Sequence, residues 1–342
     1  MKLLIRPVRA MVDRSLWWAM LAVMAALPVS AQSSANRIPS GKDVLVRVNA
    51  ALQNGEADHA LEMLKALPRS GDNQAEARNL ECRVYYMLEE WDRAADLCSQ
   101  AVKLAQSDSD YHLWLARSLG EKAGKASFLS AYSLAKRVRA EFEEAVRLNP
   151  RNVDALADLG EYYYSAPSVV GGGIDKAEAV AAQLEKLDPV CAHDLRGHIA
   201  EQRKDYDTAE REFKMEATTG DHSASGWVAL AGFYRRRERW TEMESAVRNG
   251  VNAAPRDKRG GVALFDGATA LMRSNRNPAL AAKMFESYLA GSAKSEEAPA
   301  FVAHLRLAQV KGQLGDTAGE QKERAAALAM AREYKPAQDA KH

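Results

Sequence analysis

Cysteine is scarce in this chain: Cys82, Cys98 and Cys191 are the only three in 342 residues. So few cannot supply a disulfide framework, and an odd number cannot all pair within one molecule, so the fold must rest on a buried core. Aromatic residues are also few, at 7%, although 47% of the chain is apolar. Ala, Leu, Glu, Arg and Lys dominate, which favours helix over sheet and points to an all-α fold. Long apolar runs are missing: that from Leu16 to Leu27 spans 12 residues, short of the roughly 20 that cross a bilayer as a helix. An excess of positive charge is missing too, since the formal net charge is +1, and a domain that grips phosphates carries a clear surplus. Nucleic acid is therefore not the implied partner.

Catalytic constellations are equally absent. The serines have no nucleophile-elbow setting, the histidines are scattered, and the acid pairs Glu89-Glu90 and Glu143-Glu144 fall where amphipathic helices carry solvated charge. The glycines Gly171-Gly172-Gly173, followed by Ile174, Asp175 and Lys176, lack the preceding strand and the Gly-Lys-Ser/Thr ending of a nucleotide loop. No enzyme activity and no cofactor follow from these residues.

The first thirty residues differ in kind. Lys2, Arg6, Arg9 and Arg14 precede the Leu16–Leu27 run, and Pro28 and Val29-Ser30-Ala31 follow it. That order is the one of a secretory signal peptide cleaved after Ala31. Removing residues 1–31 takes away four basic residues and Asp13, so the formal charge falls from +1 to −2. The expectation is export to a periplasm or the extracellular space, with no stable membrane insertion after cleavage. Residues 32–41 read as a disordered linker and 334–342 as a disordered tail.

Between these ends the chain repeats itself. Leu156-x2-Leu159-Gly160-x2-Tyr163 is followed by Ala177, Ala181 and Pro189, while Trp227-x2-Leu230-Ala231-x2-Tyr234 is followed by Met243, Val247, Gly250 and Pro255. A small residue recurs in each first helix at Cys82, Ser118, Gly160, Gly197, Ala231, Gly267 and Ala308, at intervals of 36, 42, 37, 34, 36 and 41 residues. Two antiparallel helices approach closely only where a side chain is small, so these positions mark the crossings, and bulky Leu, Trp, Tyr and Phe fill the flanks. Each hairpin leaves apolar surface that only its neighbour can cover. Pro150 and Pro189 end second helices, because the residue before proline is pushed out of the helical region.

These residues resemble the tetratricopeptide repeat (TPR) family over residues 42–333. The resemblance implies a right-handed α-solenoid of about eight helical hairpins whose first helices line a concave groove, and whose usual work is to hold a protein or peptide segment. Carried onto this chain, the groove-facing positions are Asn79, Arg83 and Tyr86; Glu161 and Tyr164; Asp194 and His198; and Arg235 with Arg236. Arginine offers forked donors and tyrosine a rigid amphipathic surface. The pair Asn79 and Arg83 does not reproduce the clamp of the chaperone-tail binders, which sets that subtype aside.

Three stretches break the spacing and read as lengthened connections: Gly120–Ser133, Ser165–Gly173 and Ala290–Ala298. Cys191, Asp194 and His198 share one helical face; one helix alone cannot close a tetrahedral site, so no metal is assigned, but a small-ligand or metal-binding solute protein stands as an alternative function. A structural subunit of an envelope complex is the other. Cys82 and Cys98 fall on the two helices of one hairpin and are either a candidate disulfide, where their Cα atoms lie within about 7 Å, or two buried thiols. Partner identity and oligomeric state are not written in the sequence.

Overall fold

The computed structural model describes residues 41–68, 71, 73–219 and 223–339; the expected signal peptide, and the linker as far as residue 40, lie outside the described residues. Small-residue crossings at near-34-residue spacing fold the described residues, as the sequence predicts, into eight consecutive helical hairpins. They are α1 (Gly41–Gln53) with α2 (Ala57–Lys65), α3 (Gln74–Met87) with α4 (Trp91–Leu104), α5 (Ser109–Lys125) with α6 (Phe128–Leu148), and α7 (Val153–Ser165) with α8 (Ile174–Leu184). There follow α9 (Pro189–Gln202) with α10 (Tyr206–Thr218), α11 (Ser223–Arg236) with α12 (Trp240–Ala253), α13 (Gly260–Arg273) with α14 (Pro278–Ala290), and α15 (Ala300–Gln313) with α16 (Thr317–Met330). A short α17 (Lys335–Asp339) ends the described chain, and no strand occurs among the described residues.

The crossing residues work as their size requires. A Cβ on Gly197 would meet the Phe213 ring at 2.7 Å and one on Gly267 would meet the Met284 methyl at 2.6 Å. Ser118 fills the same slot in α5, where its hydroxyl returns to the Trp114 carbonyl at 2.8 Å and lies 3.5 Å from the Cys82 sulfur. Cys82 and Cys98 are joined as a disulfide across the α3–α4 hairpin, with Cα atoms 5.4 Å apart and both side chains fully buried. Of the two alternatives that the sequence leaves open, the structure takes the bridge.

Six of the eight hairpins share one turn. A residue with φ between +50° and +81° (Gly55, Glu89, Lys204, Glu238, Asn275 or Gly315) ends the first helix. The next backbone N–H reaches back five residues, as from Glu90 to the Tyr85 carbonyl and from Asp205 to the Ala200 carbonyl, both 2.9 Å. This is the Schellman closure, which satisfies helix-end carbonyls and normally uses glycine at the left-handed position. Lys204 and Glu238 are exposed and hold that conformation without glycine's freedom. Replacing either by glycine is expected to raise stability by about 1 kcal/mol, seen as a higher urea midpoint; no change would mean that the left-handed strain at these turns is negligible.

Two hairpins and one connection depart from this pattern. The expected lengthened turn at Gly120–Ser133 is not there: α5 continues through Gly120 and Gly124 to Lys125, and only Ala126 and Ser127 separate it from α6. The added residues lengthen both helices, since neither glycine meets a neighbour that would force a bend. The expected Ser165–Gly173 connection begins after Ser165, the last residue of α7; it is closed by a single 3-10 turn and pinned by the Tyr162 hydroxyl, whose one proton is shared between the Val170 and Ala135 carbonyls, each 2.9 Å away. Residues 291–299, between α14 and α15, are the third departure and lie beyond any helix.

The array does not stay open. Its eighth hairpin lies on its first: Gly55 in the α1–α2 turn abuts the Ala300 backbone, and Arg332 joins Asp58 of α2 at 2.7 Å. Lys335 pairs with Glu90 at 2.6 Å, and the Tyr334 hydroxyl donates to Glu89 at 3.1 Å. Phe301, fully buried, packs in the same core as Leu45, Leu52 and Leu61 and meets the Tyr334 ring edge-on at 4.9 Å. Residues 334–339, expected as part of a disordered tail, are therefore folded: Tyr334 is 3% exposed and Ala337 fully buried, because they cover the seam. Terminal repeats of a solenoid need a cap, and here the two ends cap each other.

Candidate functional site

The first helices of the hairpins face the interior, and their side chains meet there in three cavities. The largest, about 590 Å³, lies between α1, α3, α5 and α7 and is closed on one side by Glu296 and Glu297 of the 291–299 connection. Asn79 is 4% exposed, and its Nδ2 has no hydrogen-bond partner. An unpaired buried amide donor costs about 1–3 kcal/mol unless something reaches it. One turn on, Arg83 grips Glu296 with both arms, Nε to Oε2 at 2.9 Å and a terminal nitrogen to Oε1 at 2.5 Å, and also donates to Asn49 at 3.1 Å. Trp114 sits between two guanidinium groups, Arg83 at 5.2 Å and Arg117 at 4.9 Å from its ring centre. Such pairs hold both ring and cation in fixed orientation.

A second cavity, about 470 Å³, reaches across from Tyr86 and Trp114 to Phe265 and Arg306. Tyr86 meets Trp91 and Trp114 edge-on at 5.2 and 5.5 Å, and burial pushes its hydroxyl well above the ordinary tyrosine range. The third, about 400 Å³, lies between α9, α10, α11 and α13 and includes Asp194 and His198. Beside it Tyr164 stacks on His198, ring centres 5.5 Å apart and planes 12° from parallel. Glu161 lies on α7, where the loss of hydration beside surrounding protein and the neighbouring Asp158 raise its carboxyl. Arg236 makes a forked bond to Glu201, its terminal nitrogen at 2.7 Å, and Arg235 is pushed down by burial and by the neighbouring Arg236 and Arg273. Of the nine expected groove residues, Asn79 and Arg83 line the first cavity, Tyr86 the second, and Asp194 and His198 the third.

Residues that the sequence reading missed lie beside those it named. Arg117 and Asp158, paired at 2.5 Å, occupy positions one and two before their crossing residues, as do Asp266 and Arg306. The same periodicity that marks Asn79 and Arg83 would have found them had the inner strip been taken one residue wider. Glu296 and Glu297 lie on no helix and carry no periodic signal. Histidines that looked scattered are clips within hairpins: His193 binds Glu212 at 2.8 Å, and His304 binds Glu323 and His112 binds Glu141, both at 2.7 Å. Among the described residues no three His, Cys, Asp or Glu side chains converge as a metal site, and no helix is long and apolar enough to cross a membrane.

The interior charges set a pH profile. Burial would raise Glu201, but hydrogen bonds from His198 and Arg236 prevail and hold it at about 2; Glu210 is likewise held at about 2 against burial by Lys214, Arg239 and Tyr234. Asp266 moves the other way, up to about 6, because protein surrounds it, although Arg306 opposes the shift. The residue is nonetheless exposed, so solvent screening makes its effect shallower than depth alone would give. Lowered carboxyls add stability as pH rises from 2 towards 4.5, and a raised one removes stability as pH climbs from about 4 to 6. The melting temperature is expected to peak near pH 4–5, and Asp266→Asn to flatten the fall above it; a monotonic rise to pH 7 in the native chain would contradict this assignment.

No family model matches the chain, and no curated protein does. Among solved structures it is similar to a thermophilic TPR protein of Thermus thermophilus, with 22% identity and a TM-score of 0.42 over 58% of this chain and 99% of that one. It is similar to yeast Tom70, with 16% identity and a TM-score of 0.45 over 89% and 81% of the two chains. It is also similar to the MamA RS-1 ArsTM double mutant, with 18% identity and a TM-score of 0.38 over 57% and 95%. These likenesses concern fold alone. The chain's own period, its small-residue crossings and its shared turn make the described residues an all-α solenoid of eight tetratricopeptide-type hairpins.

Proposed function

We propose that this protein is an exported scaffold that holds a segment of another protein inside its ring, at the cavity around Asn79, Arg83, Trp114 and Arg117. One observation carries the reading: Asn79, whose buried Nδ2 has no hydrogen-bond partner, lies on the wall of a cavity of about 590 Å³, beside an arginine that already grips a carboxylate from the chain's own 291–299 connection. A peptide offers the backbone carbonyls and acidic side chains that such donors accept. The signal-like order of residues 2–31 supports export, and the Cys82–Cys98 bridge suits an oxidising compartment.

The test is affinity capture from the organism's own envelope fraction with the mature chain. The double variant Asn79→Ala, Arg83→Glu is expected to weaken the captured partner's binding at least tenfold, with a helical circular dichroism spectrum, although loss of the Arg83–Glu296 pair lowers its melting temperature. Undiminished capture by the variant would mean that the partner sits elsewhere.

A further inference from the structure

The cavity between α9, α10, α11 and α13 is unlike the one around Arg83. Its polar wall carries carboxyls from three helices: Asp194 on α9, Glu216 on α10 and Asp266 on α13. Glu216 is the decisive group. Only 5% of it is exposed, and its Oε2 has no hydrogen-bond partner. Leaving a carboxyl oxygen dry and unpaired is costly. The basic side chain on the same wall, Arg259, is turned to other work, with its terminal nitrogen on Glu297 at 2.9 Å. His198 lies between Asp194 at 3.6 Å and Glu201 at 3.7 Å. Between the carboxyls the wall is aliphatic: Val190, Val228 and Val262.

We infer that this cavity is a binding site for a cationic nitrogen on an aliphatic stem, that is, a primary ammonium such as a lysine side chain or a free diamine. The carboxyls take the charge and the valines take the methylenes, in a volume of about 400 Å³ that suits a small organic group. A bare metal ion is the wrong ligand, because the acids do not converge on one point. An anion is wrong because three carboxyls face it. The site rests on the reading that the ring's interior is where partners bind, and it adds what the cavity around Arg83 lacks, a place for positive charge. Burial, with Asp194 and Asp188 nearby, pushes the Glu216 carboxyl well above its ordinary range against the pull of Arg259. An arriving ammonium therefore displaces a proton from a group that Asp194, Asp188, Arg259, Asp266, Cys191 and His198 all surround.

The experiment is calorimetry on the full mature chain with three probes: Nα-acetyl-lysine amide, 1,5-diaminopentane and, as the uncharged control, Nα-acetyl-norleucine amide. Each is titrated near pH 7 in two buffers of different ionisation heat. The expected result is one site for an amine probe and none for norleucine amide, with a heat that depends on the buffer because a proton leaves. Glu216→Gln is expected to weaken amine binding at least tenfold and to abolish the buffer dependence; Asp266→Asn provides a second loss in case the first variant is poorly folded. Tighter binding of the lysine amide assigns the site to a basic protein segment, and tighter binding of the diamine to a free amine. Absence of heat from both amines, or equal binding by both variants, overturns the inference. Asn79→Ala is expected to leave amine binding unchanged, so a failure here and a failure of partner capture at the other cavity are told apart.

Discussion

Replacing Phe301 by alanine is expected to cost about 3–5 kcal/mol, the usual range for deleting a fully buried phenylalanine, and to open the seam between the eighth and first hairpins. The ring of Phe301 is wholly buried in the core that also holds the first hairpin's leucines, and meets Tyr334 edge-on. The ion pairs along the seam cannot make up the loss: Arg332 is 72% exposed and Lys335 68%, and exposed pairs contribute about 0–1 kcal/mol each. Hydrogen exchange is the appropriate readout, since a repeat array need not unfold in one step. Amides of α1, α2 and α17 should exchange much faster in the variant, while α9 to α12 keep their protection. Equal protection of α1 and α2 in both proteins would show that the seam does not depend on this side chain.

A second large effect is expected at Gly226, near the start of α11. A Cβ there would meet the Ala217 nitrogen and Cα at 2.5 and 2.6 Å and the Glu216 carbonyl carbon at 2.6 Å. These are backbone atoms of α10, so relief comes only from moving one helix away from the other. Gly226→Ala gains about 1 kcal/mol in helix propensity but loses more through overpacking, which costs about 1–3 kcal/mol where side chains can adjust and more where they cannot. The net expectation is a loss of about 2–3 kcal/mol in urea unfolding. Stabilisation would mean that α10 and α11 have slack at their contact. The variant also shifts Glu216, so it should weaken any ligand of the neighbouring cavity along with the fold.

How much of this was visible in the sequence depends on how local each feature is. Hairpin number and register follow from Cys82, Ser118, Gly160, Gly197, Ala231, Gly267 and Ala308, because a crossing between two neighbouring helices needs only one small residue and its flanks. The groove strip was found but drawn too narrow: Asn79, Arg83 and Tyr86 were in it, Arg117, Asp158, Asp266 and Arg306 were not. Gly226 escaped because it mediates contact between hairpins, outside the phase of the first-helix crossings. At Gly120 and Gly124 the composition suggested a turn, yet the backbone stayed helical, since nothing there interrupts the hydrogen-bond ladder. Closure was out of reach altogether. It depends on the sum of small rotations from one hairpin to the next, and no single residue encodes that sum; Tyr334 and Ala337 looked like the start of a tail because their burial partners include residues of the first two hairpins, at the far end of the chain. The cystine, likewise, turned on a 5.4 Å Cα separation that spacing in the chain leaves open.

That the last hairpin comes to rest on the first also limits how this protein can change over time. Open helical ribbons grow or shrink by duplicating or losing a unit, since a new unit only extends a free end. Here an added unit would find that berth taken, and a lost one would leave Phe301 and Gly55 without each other's hairpins, so among the described residues closure resists a change in the number of units.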